Sequence, residues 1–259
     1  MSIDNKLKSL RIAVRQNTKT VMSHVIRNNI SRLNLKNKTP DICMFCGSTT
    51  SLTKEHVVPR WTYENNTKNF FTTSVNGHAQ TYNKTTIPAC SICNNDKLGY
   101  LELYLNQLFS QSDVKVKPFS KYDLSNIIRW LEIIDYKFQI LNARKLFIAP
   151  KGKEFIPYLS DFSLSVLRPE IDFSPFKAIS QIRKSQKRIT IKNKEQNINS
   201  LIVFKTTNKS FNFFHTMDEY IFIELPQYKL ALFYFYKQTF SSDSQAHKKA
   251  IEILKKHYN

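Results

Sequence analysis

The segment CMFCGSTTSLTKEHVVPRW, residues 43–61, opens with a CxxC pair and ends in a Glu-His pair followed by proline and tryptophan. A second CxxC pair, CSIC, occupies residues 90–93, and the two pairs contain all the cysteines of the chain. Two short pairs on separate knuckles allow four thiolates to bind one tetrahedral zinc ion. We therefore predict a structural zinc site with four ligands: Cys43, Cys46, Cys90 and Cys93.

The distance along the chain between the two pairs is longer than in a simple zinc ribbon, so the intervening residues must fold into a structure of their own. Two independent redox pairs are the alternative, but neither pair follows the strand pattern of a thioredoxin. A closed site of four thiolates has no open coordination position. The predicted zinc ion would therefore stabilise the fold and would not take part in catalysis.

The charge of the chain indicates a polyanionic partner. Its 259 residues include 39 Lys and Arg against 20 Asp and Glu, a formal net charge of +19. Nucleic acid and anionic membrane surfaces are the usual partners of such proteins, and a Lys-rich but merely soluble surface is the alternative. The chain has only four glycines and contains no GxGxxG or GxxxxGK[ST] phosphate loop.

The hydropathy pattern gives no sign of a membrane protein. No apolar run is long enough to span a bilayer, and the first residues lack the apolar core of a signal peptide. We therefore expect no membrane partner and a cytoplasmic location. In that reducing compartment, cysteines favour metal binding over structural disulfides.

Three segments differ in pattern, and together they predict an α+β protein. Residues 1–40 form a basic arm with apolar residues at helical spacing, which either packs on the rest of the chain or contacts phosphate. Residues 41–111 hold the cysteine pairs and end in a predicted helix striped with leucines. Residues 112–259 predict a larger region of mixed helix and antiparallel sheet, a candidate for nucleic-acid binding.

Within residues 112–259, the segments 121–145 and 241–259 predict helices. The many aromatic residues between positions 211 and 240 are explained by alternating strands that face a core. Short runs rich in β-branched and aromatic residues predict strands at FSLSVLR (162–168), RITIK (188–192), SLIVFKT (200–206), YIFIELP (220–226) and YKLALFYFYK (228–237).

The pattern TxEHVxPxW, followed by CxxCN, resembles the HNH endonuclease family in the form that carries two zinc knuckles. The likeness covers about residues 43–102 and neither the basic arm nor the C-terminal region. It implies a ββα-metal fold, in which a hairpin and a helix hold one divalent ion against the scissile phosphate. It also implies that His56 is the general base and that Glu55 and Asn94 are the ligands of a catalytic Mg²⁺ or Mn²⁺ ion.

The chemistry of these residue types agrees with the implied roles. A histidine can accept a proton at neutral pH. A carboxylate and an amide oxygen are hard ligands that leave coordination positions open for phosphate and water, and the ion acts as a Lewis acid. Neighbouring residues on a strand point to opposite faces, so Glu55 and His56 need a local bend or bulge to serve one centre. The alternative is an incidental Glu-His pair.

Several residues are candidates for supporting roles. Many family members have an asparagine about nine residues before the position of Asn94, where this chain has Thr85. Asn83, a threonine hydroxyl or a backbone carbonyl could orient the histidine instead. His78 is a candidate ligand or base and Glu102 a candidate for ordering the site. The alternatives are a polar loop histidine and an exposed or salt-bridged glutamate.

Basic residues that could contact phosphate fall in two places. Arg60 and Lys97 lie beside the candidate site, and residues 174–194 contain seven Lys and Arg and no acid. Phosphate contacts would make binding steeply salt dependent, whereas a solvated surface is the alternative for both places. Trp61 is more typical of a core anchor than of a base-stacking residue. The candidates in the second place are Arg183, Lys184, Lys187 and Arg188.

The sequence therefore predicts a metal-dependent endonuclease that hydrolyses phosphodiester bonds in nucleic acid, with DNA favoured over RNA. The first alternative is a non-catalytic nucleic-acid-binding protein that keeps the zinc knuckles, and Thr85 supports it because it replaces the expected asparagine. The second alternative is a protein-interaction module whose basic surface contacts an acidic partner.

Overall fold

The computed structural model describes residues 2–30, 39–63, 70–72, 79–111, 119–145 and 175–258. Helices and antiparallel strands are mixed along these ranges, which confirms the predicted α+β class. Two sequence predictions lie outside the described residues: the strand at 162–168 and the role of His78.

The described ranges contain five α-helices: α1 (Ile3–Val25), α2 (Gly99–Gln111), α3 (Lys121–Lys145), α4 (Pro175–Thr190) and α5 (Asp243–Tyr258). They also contain eight strands: β1 (Leu52–His56), β2 (Phe70–Thr72), β3 (Ala79–Thr81), β4 (Thr86–Cys90), β5 (Leu201–Lys205), β6 (Asn212–Thr216), β7 (Tyr220–Leu225) and β8 (Leu230–Phe235). Helix α1 continues as a π-helical turn, Ile26–Ile30, and another such turn, Ile92–Leu98, leads into α2.

The predicted basic arm is helical from Ile3 to Ile30, as its spacing indicated. Apolar residues recur every three or four positions in α1 and form one buried stripe, so this face packs on the rest of the protein. The helix contacts α4 and the π-helical turn before α2. The buried residues of the stripe are Leu7, Leu10, Val14, Val21 and Val25.

A hairpin and a helix form the part of the fold that carries the cysteines. Strands β1 and β4 pair in antiparallel register from Leu52 opposite Cys90 to His56 opposite Thr86. The chain then turns at Ser91 and enters the π-helical turn and α2. The predicted leucine stripe is buried at Leu98, Leu101 and Leu105 and partly buried at Leu108, which fixes the helix against the core.

Helix α3 is the central element of the described chain and has the predicted bounds. It contacts α2, α4 and β4, and also α1. Most side chains from Ile127 to Ala143 are buried, including three charged ones. A helix that is apolar nearly all around its surface is typical of a buried element.

The C-terminal sheet has strand order β5-β8-β7-β6, with all pairs antiparallel. Because side chains alternate between faces, β8 serves two cores. Leu230, Leu232 and Tyr234 belong to the main core shared with α1 to α4, whereas Phe233 and Phe235 pack towards α5. The strand predictions at 200–206, 220–226 and 228–237 are confirmed.

The strand prediction at 188–192 is wrong, because residues 188–190 are the last residues of α4. Ala178, Ile182, Ser185 and Ile189 recur at helical spacing and are all buried. The short apolar alternation of RITIK is therefore part of a longer helical pattern, which places Ile189 in the core.

The segments of the three predicted regions share one hydrophobic core, which includes residues from α1, both cysteine pairs, α2, α3 and one face of the sheet. None of the described helices is long and apolar enough to cross a membrane.

Candidate metal and active site

The four cysteines come together as predicted. Their sulfur atoms all lie within 4.8 Å of one another, and Sγ of Cys46 is 3.6 Å from Sγ of Cys90. In a tetrahedral zinc site with Zn–S bonds of about 2.3 Å, the sulfur atoms are about 3.8 Å apart. The cluster therefore has the size and the chemistry to hold one metal ion such as zinc.

Each of these thiols affects the ionisation of its neighbours. A hydrogen bond with Cys93 lowers the pKa of Cys43 to about 5, whereas burial raises the pKa of Cys46 to about 11. The Cys43 thiolate and burial also raise the pKa of Cys93. Since negative charges so close together repel, all four groups become thiolates together only around a cation.

Backbone hydrogen bonds shape the two knuckles. In the first knuckle, the Gly47 N–H donates to the Cys43 carbonyl at 2.8 Å, and Gly47 has φ +73°, a conformation that favours glycine. The Met44 N–H donates to Pro88 O at 3.0 Å, which joins the first knuckle to β4. These bonds place the two cysteine pairs at one end of the β1–β4 hairpin.

The predicted ligand Asn94 lies against the first strand. It belongs to the π-helical turn after Cys93, and its Nδ2 donates to Oγ1 of Thr53 at 2.8 Å. Thr53 in turn donates to the Ala89 carbonyl at 2.9 Å. Because Thr53 and Glu55 are two residues apart on β1, Asn94 lies on the face of the strand to which Glu55 points.

Glu55 is buried and paired with a lysine from outside the motif. Nζ of Lys137, on α3, lies 2.6 Å from Oε1 of Glu55 and 2.7 Å from the backbone oxygen of His56. The Lys137 side chain is 0% exposed. One ammonium group thus neutralises the predicted metal ligand and fixes the backbone of the predicted base.

His56 is half-buried at the end of β1. Burial lowers the pKa of its imidazole below the usual value, and the charges of Arg60 and Lys137 act in the same direction while Glu55 opposes them. The backbone of Asn83 also opposes the shift. The imidazole is therefore neutral at pH 7, the form in which a histidine can act as a base.

The two residues proposed to orient His56 have different surroundings. The backbone of Asn83 lies near enough to the imidazole to influence its pKa. Thr85 is fully buried, and its hydroxyl donates to the Thr81 carbonyl at 3.1 Å. The Thr85 carbonyl accepts from the Val57 N–H at 2.9 Å, so this residue fastens the strand end and does not orient the ring.

The strand shows no bulge between the two motif residues. Glu55 pairs with Ile87 and His56 with Thr86 in continuous antiparallel register. Successive side chains on a regular strand point to opposite faces. The bend or bulge that the sequence required is therefore not present within Leu52–His56, and the structure brings Glu55 and Asn94 to one face with His56 on the other.

Glu102 lies near the Glu55–Lys137 pair. Its Oε1 is 3.9 Å from Nζ of Lys137, so it is a salt-bridged helix glutamate, one of the two expected alternatives. Burial raises the pKa of Glu102 to about 7, with Lys137 opposing the shift and Glu55 adding to it. Two carboxylates thus share one buried ammonium.

Trp61 and the nearby cations have different surroundings. Trp61 stacks on Trp130 with ring centroids 5.4 Å apart and packs on the main core, as expected of an anchor. Arg60 is exposed and Lys97 partly exposed beside the site.

The basic segment after position 174 is largely α4 and not a loop. Three of its predicted phosphate contacts, Arg183, Lys184 and Lys187, lie on the exposed face of that helix. Arg188 lies on the inner side, where its guanidinium bonds to Asp135 and Asp218. Arg188 is therefore engaged with two carboxylates of the core, which leaves three candidates on the helix surface.

Lys137 is the site residue that sequence reasoning missed. It lies 82 positions from Glu55, so no local motif joins the two. One signal was present: the central, apolar part of α3 contains Glu132, Asp135 and Lys137, and buried charges in such a helix require partners.

We compared the chain with models of protein families, with curated proteins and with solved structures. None of the three comparisons found a match.

Proposed function

We propose that the chain is a metal-dependent endonuclease of the HNH type, which hydrolyses phosphodiester bonds in DNA with His56 as the general base. The observation that carries this proposal is the hairpin and helix fastened by four thiols. The Glu55-His56 pair lies at the end of the first strand of that hairpin, and Asn94 lies in the π-helical turn that leads into α2. A net charge of +19 supports a nucleic-acid substrate.

Two kinds of metal ion belong to the proposal. Zn²⁺ in the cysteine cluster holds the unit together, in a cytoplasmic location where thiols stay reduced. Mg²⁺ or Mn²⁺ would use Glu55 and Asn94 as ligands. The hydrogen bonds between described residues engage Oε1 of Glu55 and Nδ2 of Asn94, so Oε2 and Oδ1 are the oxygens that fit a hard cation.

Lys137 makes the proposed ion site weak in the free protein. Its ammonium already neutralises Glu55, so little negative charge is left to attract a divalent ion. Sites for Mg²⁺ commonly use one or two carboxylates together with phosphate oxygens of the substrate. The proposal therefore includes joint binding of the ion and the scissile phosphate.

The residues divide the chemistry between them. A bound divalent ion supplies Lewis-acid stabilisation of the leaving oxygen. Neutral His56 accepts the proton of the attacking water, and the backbone of Asn83 lies beside its ring. Since His56 and Glu55 lie on opposite faces of a regular strand, the proposal requires the strand end to twist when the substrate binds.

A plasmid nicking assay tests the proposal. The zinc-loaded chain is incubated with supercoiled plasmid in Mg²⁺, in Mn²⁺ and without added divalent ion, alongside His56→Ala. An exposed histidine on α5 gives the matched control His247→Ala. We expect nicking with a divalent ion only, a loss of at least about 100-fold in His56→Ala, and wild-type rates in His247→Ala.

Equal nicking by wild type and His56→Ala would contradict the role of His56. Absence of nicking in every condition, with zinc content and folding intact, would contradict the enzymatic proposal as a whole.

The second candidate function is nucleic-acid binding without cleavage. The specific observation in its favour is the pairing of Glu55 with Lys137, which occupies a predicted ligand with an ammonium group in place of a metal ion. Salt-sensitive binding of DNA by wild type, without nicking in Mg²⁺ or Mn²⁺, is the result that this function predicts.

A further inference from the structure

Helix α1 has a cationic stripe beside its buried face. Lys8, Arg11, Arg15 and Lys19 recur at steps of three and four residues. At 3.6 residues per turn they lie within an arc of about 80°. Arg11 is partly exposed and the other three are exposed. The stripe is therefore one continuous surface and not a scatter of charges around the helix.

Three arginines crowd together where this stripe meets α3 and the end of α4. Arg15 Nη2 donates to the Thr190 carbonyl at 3.3 Å, and Arg129 Nη2 donates to the Lys192 carbonyl at 2.6 Å. Burial lowers the pKa of Arg11, and the neighbouring charges of Arg129 and Arg15 lower it further. These guanidinium groups lie close enough to repel one another.

Few acidic groups balance this cluster. Within the described residues, no carboxylate lies within 4.0 Å of the guanidinium groups of Arg11, Arg15 or Arg129. The charge of Asp4 acts on Arg11 from the start of the same stripe. Nε of Arg129 is buried and has no hydrogen-bond partner in the described part of the chain. Repulsion among these cations favours a bound anion.

The neighbouring helix adds cations and no acid. Helix α4 packs along α1 and exposes Arg183, Lys184 and Lys187, which have no ion pair to a described acid. Phe176 of this helix is exposed, but its other apolar residues are buried or partly buried against the core. An amphipathic helix binds a membrane by inserting a continuous apolar face, and most of that face is already buried here. The exposed charges therefore fit the phosphate groups of a nucleic acid better than they fit a bilayer.

We propose that the cationic ridge, which comprises Lys8, Arg11, Arg15, Lys19 and Arg129, binds the sugar-phosphate backbone of duplex DNA. Arginine forks match phosphate oxygens in pairs. The cations stand on the surface of a straight helix of 23 residues and not in a groove, a shape that suits a stiff duplex better than an unpaired strand. This inference rests on the nucleic-acid partner of the proposed function and not on cleavage.

The ridge lies apart from the candidate active site. Lys6 bonds to Asp96 in the π-helical turn that carries Asn94. At 3.6 residues per turn, Lys6 is about half a turn around α1 from the ridge. The ridge therefore serves as an anchoring surface, and its removal affects DNA affinity and not the cleavage rate at saturating DNA.

Fluorescence anisotropy with a labelled DNA duplex tests the ridge in the full chain, without added divalent ion and over a series of KCl concentrations. The variant is Arg11→Gln/Arg15→Gln, and the matched control is Lys255→Gln/Lys256→Gln, which removes the same charge from exposed positions of α5. We expect affinity about tenfold weaker and a salt slope smaller by about 2 in the ridge variant only.

A control variant that loses as much affinity and slope as the ridge variant would overturn the inference, because net charge alone would then explain binding. Tighter ridge-dependent binding to single-stranded DNA, RNA, an acidic protein or phosphatidylserine vesicles would also overturn it. If Arg11→Gln/Arg15→Gln does not fold, Lys8→Gln/Lys19→Gln gives the same test, since both lysines are exposed.

The result separates this inference from the proposed function. A chain that binds duplex DNA through the ridge but never nicks it would support the inference and contradict the endonuclease. A chain that nicks DNA, and whose ridge variant binds with wild-type affinity and salt slope, would support the endonuclease and contradict the inference.

Discussion

The cysteine cluster and the charged residues of α3 both join distant parts of the chain, but they do so with different chemistry. The cysteine cluster contains four groups of one kind, which need an external cation to become thiolates together. Helix α3 carries Glu132, Asp135 and Lys137, and each has a partner of opposite charge elsewhere in the chain. One region could be completed by a metal ion, whereas the other is completed by the protein itself.

This difference determines which change destabilises each region. Loss of zinc would release the hairpin from its helix while the ion pairs of α3 remain in place. Loss of one α3 charge would leave its buried partner uncompensated whether or not zinc is present. Metal content and unfolding free energy therefore report on the two regions separately.

The largest expected effect comes from a cysteine ligand. Cys43→Ser or Cys90→Ser should lose zinc and unfold residues 41–111, because structural zinc contributes about 10–16 kcal/mol of binding free energy in small domains. Metal analysis and limited proteolysis measure both effects. Ser91→Ala, between two ligands, is the control and should keep the metal. A zinc-free cysteine variant with wild-type protease resistance would contradict the claim that this region depends on a metal ion.

The next effect comes from Lys137. Lys137→Met leaves Glu55 buried without its counter-ion, so we expect a loss of about 3–5 kcal/mol in the free energy of unfolding. Urea denaturation measures it.

The double variant Lys137→Met/Glu55→Gln removes both charges and should regain most of the lost free energy. A single variant as stable as wild type, or a double variant no more stable than the single, would show that the pair is not the interaction we describe.

A similar loss is expected at Arg188, but without an effect on nucleic acid. Arg188→Met leaves Asp135 and Asp218 with the remaining partners His215 and Lys237, so we expect about 3 kcal/mol in urea denaturation. The salt slope of DNA binding should stay at the wild-type value. A salt slope as small as that of Arg11→Gln/Arg15→Gln would indicate that Arg188 contacts phosphate after all.

An effect of similar size, spread over a range of pH, concerns Glu102. Its folded-state pKa of about 7 lies above the ordinary value of 4.5, so the folded state binds the proton more tightly than the unfolded state. This group therefore stabilises the fold below pH about 4.5, and its contribution is lost as the pH rises to about 7, with a slope of at most about 1.4 kcal/mol per pH unit.

Glu102→Gln should flatten this part of the stability curve, measured by urea denaturation at a series of pH values. An unchanged slope in the variant would place the proton uptake on another group.

The fold and the site differ in how far the sequence predicts them. The cysteine cluster follows from two short pairs, and the helix α3 from 25 residues of one pattern. The strand prediction at RITIK failed because a short alternation was read without the preceding helical spacing. Lys137 could not be assigned a partner, because its contact with Glu55 depends on how α3 packs on the hairpin.

The position of Arg188 shows the same limit. From composition alone, Arg188 is one of seven cations between residues 174 and 194. Because it lies on the inner face of α4, its side chain points towards Asp135 and Asp218. Charge in a segment can be counted from the sequence, but the direction of each charge depends on the phase of the helix relative to the core.

X-ray absorption at the zinc edge, on the full chain purified under reducing conditions, tests the predicted four-thiolate zinc site most directly. We expect one zinc ion per chain surrounded by four sulfur atoms at about 2.3 Å. A chain that folds without zinc, or a zinc ion with nitrogen and oxygen in place of sulfur, would contradict the account.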